Sequence, residues 1–420
     1  MRVRLLFIGA LLACLCVAVA AGCVAAAPET APESPSTEFG DPSDPSDSET
    51  PSTSPDAPAR PEPSRQPTLD ERAAQKVAEL TLEQKVAQLF IVRPESITGV
   101  DVATQAGPAT EEALATYPVG GIAYFQQNLI DPDQTRTMLA NSQAYAQEAV
   151  GLPLFTCVDE EGGTVSRIGG NPGFAIQNVG DMAAVGAAGD TAQAEDVART
   201  IGTYLRDLGF NVDFAPDADI CGDPATDVMA LRSFGTDPQA VASMVAAQVD
   251  GFASAGMLCS AKHFPGIGGV MGDSHEGAIV SEKSLDELRA DELVPFEAAI
   301  KADVPFIMVG HLSLPNATGT DVPASINPAI VTDLLRTELG YGNLIITDSM
   351  GMGAVGDVTP DQVGVAALEA GVDLVLMPAD FPAAYEGVLD AVRDGRLTKD
   401  RIDESVQRIV KTKLSLEELE

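Results

Sequence analysis

The 420 residues carry 62 acidic against 25 basic side chains, a formal net charge of −37, which excludes a nucleic-acid surface because phosphate binding needs clustered Lys and Arg. The same field steers an acidic substrate away unless a local basic pocket overrides it. With 45% hydrophobic and 21% charged residues the chain can bury a large core; its length alone suggests two or three domains, and barrels, which run to about 250 residues or more as one unit, are the standard exception.

Residues 1–22 open with basic side chains, continue with a short apolar run and end in small residues, the layout of an export signal. A spanning helix would need about 20 apolar residues. The tripeptide Ala20-Ala21-Gly22 before Cys23 resembles a bacterial lipobox with Ala where Leu is usual. That resemblance implies a lipidated Cys23 and a protein held on the outer face of the bacterial cell membrane, partly secreted. Residues 23–67 read as a disordered tether, since from Pro28 to about Gln66 Pro, Ser, Thr, Asp and Glu dominate and Phe39 is the one aromatic residue. Its acidic excess keeps it extended.

The catalytic domain then spans 68–420. Helical periodicity opens it over 69–88, with Thr81 followed by Glu83 and Gln84 marking a helix start. Eight apolar runs follow, at 88–92, 120–125, 152–159, 210–216, 256–264, 304–312, 342–350 and 372–378, separated by helical patterns. The alternation predicts an α/β fold, a single (β/α)8 TIM-type barrel. A doubly wound open sheet is the rival, weakened because no glycine-rich dinucleotide fingerprint follows the first run. Once the signal leaves with Cys14 and Cys16, the fold retains Cys157, Cys221 and Cys259. Three cysteines cannot all pair; a Cys221–Cys259 bond and three buried thiols are both open.

Side chains at the C-terminal ends of barrel strands converge on one mouth. Here those ends carry Asp159 and Glu160, Asp217, Lys262 and His263, His311, and Asp348, and all three histidines of the chain (His263, His275, His311) lie at or just past a strand end. Glu161 joins this group as a supporting acid without an assigned role, and His311 reads as a rim residue.

Four segments, in order, resemble glycoside hydrolase family 3, specifically its single-domain bacterial β-N-acetylhexosaminidases. They are VDEEGGTVSR (158–167), RSFG (232–235), KHFPGIGGVMGDSH (262–275) and ITDSMGMGAV (346–355). The resemblance covers nearly everything from about Leu80 onward. It implies Asp348 as nucleophile, His275 as general acid/base and Asp273 as the partner that orients His275. It further implies Asp159, Arg167, Arg232, Lys262 and His263 as contacts to a terminal sugar. The chemistry is consistent: a retaining glycosidase needs one carboxylate to attack the anomeric carbon and one group to protonate the leaving oxygen, and an imidazole with a reference pKa of about 6.5 can exchange that proton. Four glycines between Gly266 and Gly272 predict a mobile lid.

The expected activity is release of terminal β-linked N-acetylglucosamine from cell-wall fragments, with no metal and no organic cofactor; phosphate cradles and metal-ligand spacings are missing from the sequence. The expected partners are that glycan and, through the lipid anchor, the membrane. A β-glucosidase or β-xylosidase of the same family, phosphate replacing water as acceptor, and a silent wall-binding lipoprotein are the alternatives. Two positions depart from the family pattern: Ile267 stands where His is usual and Glu160 where Gln is usual.

Overall fold

The computed structural model describes residues 66–221, 229–270, 272, 274 and 277–417. The export signal, Cys23 and nearly all of the tether therefore lie outside the described residues, as do Asp273 and His275.

Two capping boxes start the domain. Thr68 and Glu71 close the first turn of the helix Leu69–Glu79, and Thr81 and Gln84 do the same for Leu82–Gln88. The strands are β1 (Phe90–Val92), β2 (Gly121–Ala123), β3 (Phe155–Val158), β4 (Val212–Asp213), β5 (Leu258–Phe264), β6 (Ile279–Val280), β7 (Phe306–Val309), β8 (Leu312–Ser313), β9 (Leu344–Thr347) and β10 (Val375–Leu376). Eight of them form one parallel sheet in the order β10-β1-β2-β3-β4-β5-β7-β9, each taken from one of the eight apolar runs. A parallel bridge between Ile346 and Leu374 joins the two ends, and the amides of Thr347 and Met350 donate to the carbonyls of Leu374 and Leu376. The sheet is thus a closed barrel, and its strands are buried throughout because helices cover the outside and side chains fill the inside. Outside the barrel, β6 pairs in parallel with β8, a short ribbon that apolar patterning did not announce.

The helix Lys399–Leu416 closes the bottom of the barrel. Asp373, fully buried, ties it down by accepting from Ser405 (2.6 Å) and Arg408 (2.9 Å) while also accepting from Arg336 and the amide of Ile345. From the same helix Lys413 enters the core, donates to Oε1 of Gln88 at 2.7 Å and lies 5.1 Å from the ring centroid of Phe155. Burial pushes its ammonium down to about 7. A lysine lowered in the fold is protonated more readily when unfolded, so stability rises as pH climbs from about 7 toward the unfolded value. Between pH 7 and 9 this one group contributes roughly 2 kcal/mol. Lys413→Met is expected to flatten that part of the pH dependence in urea melts, whereas the cost of stranding Gln88 is the same at both pH values. An unaltered slope would mean that the ammonium is solvated.

Cys157, Cys221 and Cys259 are buried thiols with no disulfide among them, so the second of the two open readings holds. Cys221 packs with Met229 and Ala230 in a small separate cluster, whereas Cys259 belongs to the main core.

Candidate active site

At the end of β3, side chains alternate between two environments. Asp159 and Glu161 face the mouth, where Nζ of Lys262 donates to Oδ1 of Asp159 at 2.8 Å and to Oε1 of Glu161 at 2.7 Å. Between them Glu160 turns away and is completely buried. Its carboxylate accepts from the amides of Arg167 (2.6 Å), Ile168 (3.0 Å) and Gly169 (2.7 Å) and from the hydroxyls of Ser166 and Tyr204. Its own amide donates to Asp213, whose carboxyl burial pushes well above the usual range. The acid that departs from the family pattern therefore pins the turn that carries Arg167. Nη2 of Arg167 lies 3.8 Å from Oδ2 of Asp159.

Arg232 reaches the same cluster from the segment after β4. Its Nε and Nη2 make a fork on Glu161 at 2.7 and 2.6 Å, and Nε lies 3.6 Å from Oδ2 of Asp217. Burial opposes every charge in this group. It is outweighed: Lys262 and Arg232 hold Glu161 far below the usual carboxylate range, Asp159 and Glu161 hold Lys262 above its ordinary value, and Glu161 does the same for Arg232. Asp217 moves the other way, because burial and the adjacent Asp219 both disfavour its charge.

The pairing of β5 with β7 shifts register between Ala261 and Phe264, and this irregular stretch holds Lys262 and His263. Such irregularities re-aim side chains near functional sites. Nδ1 of His263 lies 2.7 Å from Oδ2 of Asp219, whose Oδ1 accepts from the amide of Ile267. Asp219 escaped the sequence reading; it lies just beyond the fourth apolar run, where no periodicity marks it. Asp217, Asp219 and His263 stand close enough to share an ion, but Asp219 is already bonded through both oxygens and Arg232 faces Asp217.

Asp348 follows β9 and stays partly open to solvent. Its amide donates to the carbonyl of Val309 at 2.8 Å, and its Oδ1 accepts from the amide of Ser349 at 2.7 Å. Burial raises its pKa, but the rings of His263 and His311, the Ser349 amide and Lys262 outweigh this and hold the carboxyl below the usual range. His311, read from sequence as a rim residue, braces this turn. Its Nε2 lies 2.9 Å from the carbonyl oxygen of Ser349, which can only accept, so Nε2 carries a proton; Nδ1 lies 2.7 Å from Oγ of Ser325.

Asp159, Arg167, Arg232, Lys262, His263 and Asp348 thus gather around one mouth. Ser274, between the undescribed Asp273 and His275, is buried, and its carbonyl accepts from the amide of Ala354 at 3.2 Å, six residues beyond Asp348. The glycines leading to it fit tightly: a Cβ on Gly268 would lie 2.1 Å from the carbonyl oxygen of Ile220, and one on Gly266 would lie 2.7 Å from the side chain of Glu292. A cavity of about 700 Å³ flanks this stretch, lined by Gly266, Gly268, Gly269, Lys283, Asp291 and Glu292.

A carboxylate held below its usual pKa by two imidazoles and a lysine, at the C-terminal mouth of a parallel barrel, is placed where barrel enzymes gather their catalytic groups. The chain belongs to glycosyl hydrolase family 3: residues 81–412 match the family described as "Glycosyl hydrolase family 3 N terminal domain", and its fold and family are those of a glycosidase. It is 35% identical to "Beta-hexosaminidase LpqI" of Mycobacterium tuberculosis over 80% of this chain and 83% of that protein. It is likewise 35% identical to "Beta-hexosaminidase A" of Pseudoalteromonas piscicida over 74% of this chain, but spans only 55% of that longer protein. A solved glycoside hydrolase family 3 beta-N-acetylglucosaminidase from Paenibacillus superposes with a TM-score of 0.74 at 35% identity, covering 81% of this chain and 62% of that one.

Proposed function

We propose that the chain is an exo-acting, retaining β-N-acetylhexosaminidase that removes terminal β-linked N-acetylglucosamine from cell-wall glycans. Asp348 attacks the anomeric carbon while His275, oriented by Asp273, protonates the departing oxygen. Water then attacks the glycosyl-enzyme as His275 takes the proton back. Asp159, Arg167, Arg232, Lys262 and His263 hold the terminal sugar. The observation that carries this reading is the placement of the partly open Asp348 at the end of β9, where His263, His311 and Lys262 hold its carboxyl below the usual range. The bond from Ala354 to Ser274 supports it further, since it fastens the segment beyond Asp348 to the residue preceding His275.

The test is release of nitrophenol from the β-N-acetylglucosaminide and from the β-glucoside. A kcat/KM higher on the amino sugar by about tenfold or more is expected; equal or reversed rates would move the chain to the glucosidase alternative. Lipidation at Cys23 holds the protein on the outer face of the membrane. Cys23→Ser is expected to shift it from the membrane fraction to the medium, and an unchanged distribution in cell fractionation would refute the anchor.

A further inference from the structure

Asp219, just past the end of β4, is fully buried and commits each oxygen of its carboxylate to a different part of the mouth. Oδ2 lies 2.7 Å from Nδ1 of His263 and accepts the backbone amide of the same residue at 3.3 Å, whereas Oδ1 accepts the amide of Ile267 at 2.7 Å. Asp219 is itself held through its backbone. Its amide donates to Oδ1 of Asp217 at 2.9 Å, and its carbonyl accepts from Oγ of Ser233 at 2.6 Å. Gly266, at φ 114°, turns the chain out of β5 with its amide on the carbonyl of His263 at 2.7 Å. The next two residues then meet consecutive positions of one segment, Ile267 on the carboxylate of Asp219 and Gly268 against the carbonyl of Ile220.

Both oxygens of Asp219 already receive a backbone N–H, so the carboxylate accepts throughout and Nδ1 of His263 is the donor. The ring therefore carries a proton on Nδ1. Nε2, on the opposite side of the ring, has no hydrogen-bond partner among the described residues, and the same ring helps to hold the carboxyl of Asp348 below the usual range. We propose that Asp219 is a positioning residue: one oxygen sets the tautomer and orientation of His263, and the other anchors, at Ile267, the stretch that leads to Asp273 and His275. A sugar contact and the acid/base are thus placed by a single buried carboxylate. That this placement serves catalysis rests on the function proposed above; the hydrogen bonds do not.

Asparagine has one acceptor oxygen where aspartate has two. In Asp219→Asn the oxygen is expected to stay on Ile267, because a backbone N–H can only donate, while the new NH2 turns to His263, whose ring moves its proton from Nδ1 to Nε2. Long-range 1H–15N correlation of the full chain labelled in its three histidines reads that change, with the His263 signals assigned by their loss in His263→Gln. Hydrogen–deuterium exchange at Ile267 should change less than about threefold in Asp219→Asn and rise about tenfold or more in Asp219→Ala, where both acceptors are gone. On the N-acetylglucosaminide, Asp219→Asn is expected to raise KM about tenfold, and Asp219→Ala to lower kcat about tenfold as well. The asparagine variant decides the matter even if the alanine variant does not fold. A ring unchanged with faster exchange at Ile267 would leave the oxygen on His263 and still support the shared carboxylate. Nδ1 protonation and Ile267 exchange both as in wild type would overturn the proposal, and so would changes in both with KM and kcat unaltered. If the hydrogen-bond changes appear in a protein whose wild type cleaves no glycoside, the activity reading fails and the double anchor stands.

Discussion

Asparagine at position 348 is expected to lower kcat on the N-acetylglucosaminide by about a thousandfold or more, with a much smaller change in KM. The amide matches the carboxylate in shape and still accepts the Ser349 amide bond, so the turn and the mouth persist. What is lost is the charge and lone pair that, in the proposed mechanism, attack the anomeric carbon. The same residue fixes the acid limb of the rate profile. Because His263, His311, the Ser349 amide and Lys262 hold the Asp348 carboxyl below the usual range against the effect of burial, the ionised form survives into acid. It is lost only as pH falls through that lowered value, so the acid limb set by Asp348 should lie below the reference of about 3.9. Steady-state kinetics of wild type and Asp348→Asn across pH check both statements. Equal rates in the two proteins would remove Asp348 from the chemistry.

Glu161→Ala is expected to cost about 3–5 kcal/mol of folding stability, the range found when one member of a buried ion pair is deleted. Glu161 is 3% exposed and receives both the Arg232 fork and Lys262. Without it two cations remain near each other with only Asp159 and the weakly placed Asp217 to answer them. The wild-type contribution has a defined pH window. The folded carboxyl lies far below its ordinary value, held there by Lys262 and Arg232 against burial, so the contribution is full above the unfolded pKa of about 4.3 and declines as pH falls below it. Urea melts at pH 7 and pH 4 measure it: the wild-type advantage should narrow in acid. A variant within about 0.5 kcal/mol of wild type at pH 7 would show that the network is not a stabilising one.

The barrel was legible because its strands are buried on both faces and so read as continuous apolar runs, one for each of the eight strands of the barrel sheet. The mouth was legible for the same reason, since most polar residues that interrupt such runs at their ends face it; Glu160, which turns away to bind the amides of Arg167, Ile168 and Gly169, is the exception. Much of the rest depended on spatial order. The ribbon of Ile279–Val280 with Leu312–Ser313 joins residues far apart in sequence, and two-residue strands carry no period. Asp219 and the bracing role of His311 follow from hydrogen bonds across neighbouring strand ends, which spacing does not encode. The cysteines allowed two readings until Cys221 and Cys259 fell into different clusters.

The chemistry proposed here requires a transient covalent bond between the sugar and one carboxylate. Incubation with a 2-fluoro-2-deoxy glycoside bearing a good leaving group, followed by proteolysis and mass spectrometry, reads that bond directly. The expected result is a single labelled peptide containing Asp348, with no label in Asp348→Asn. A label on a different peptide, or continued turnover with no adduct trapped, would contradict it.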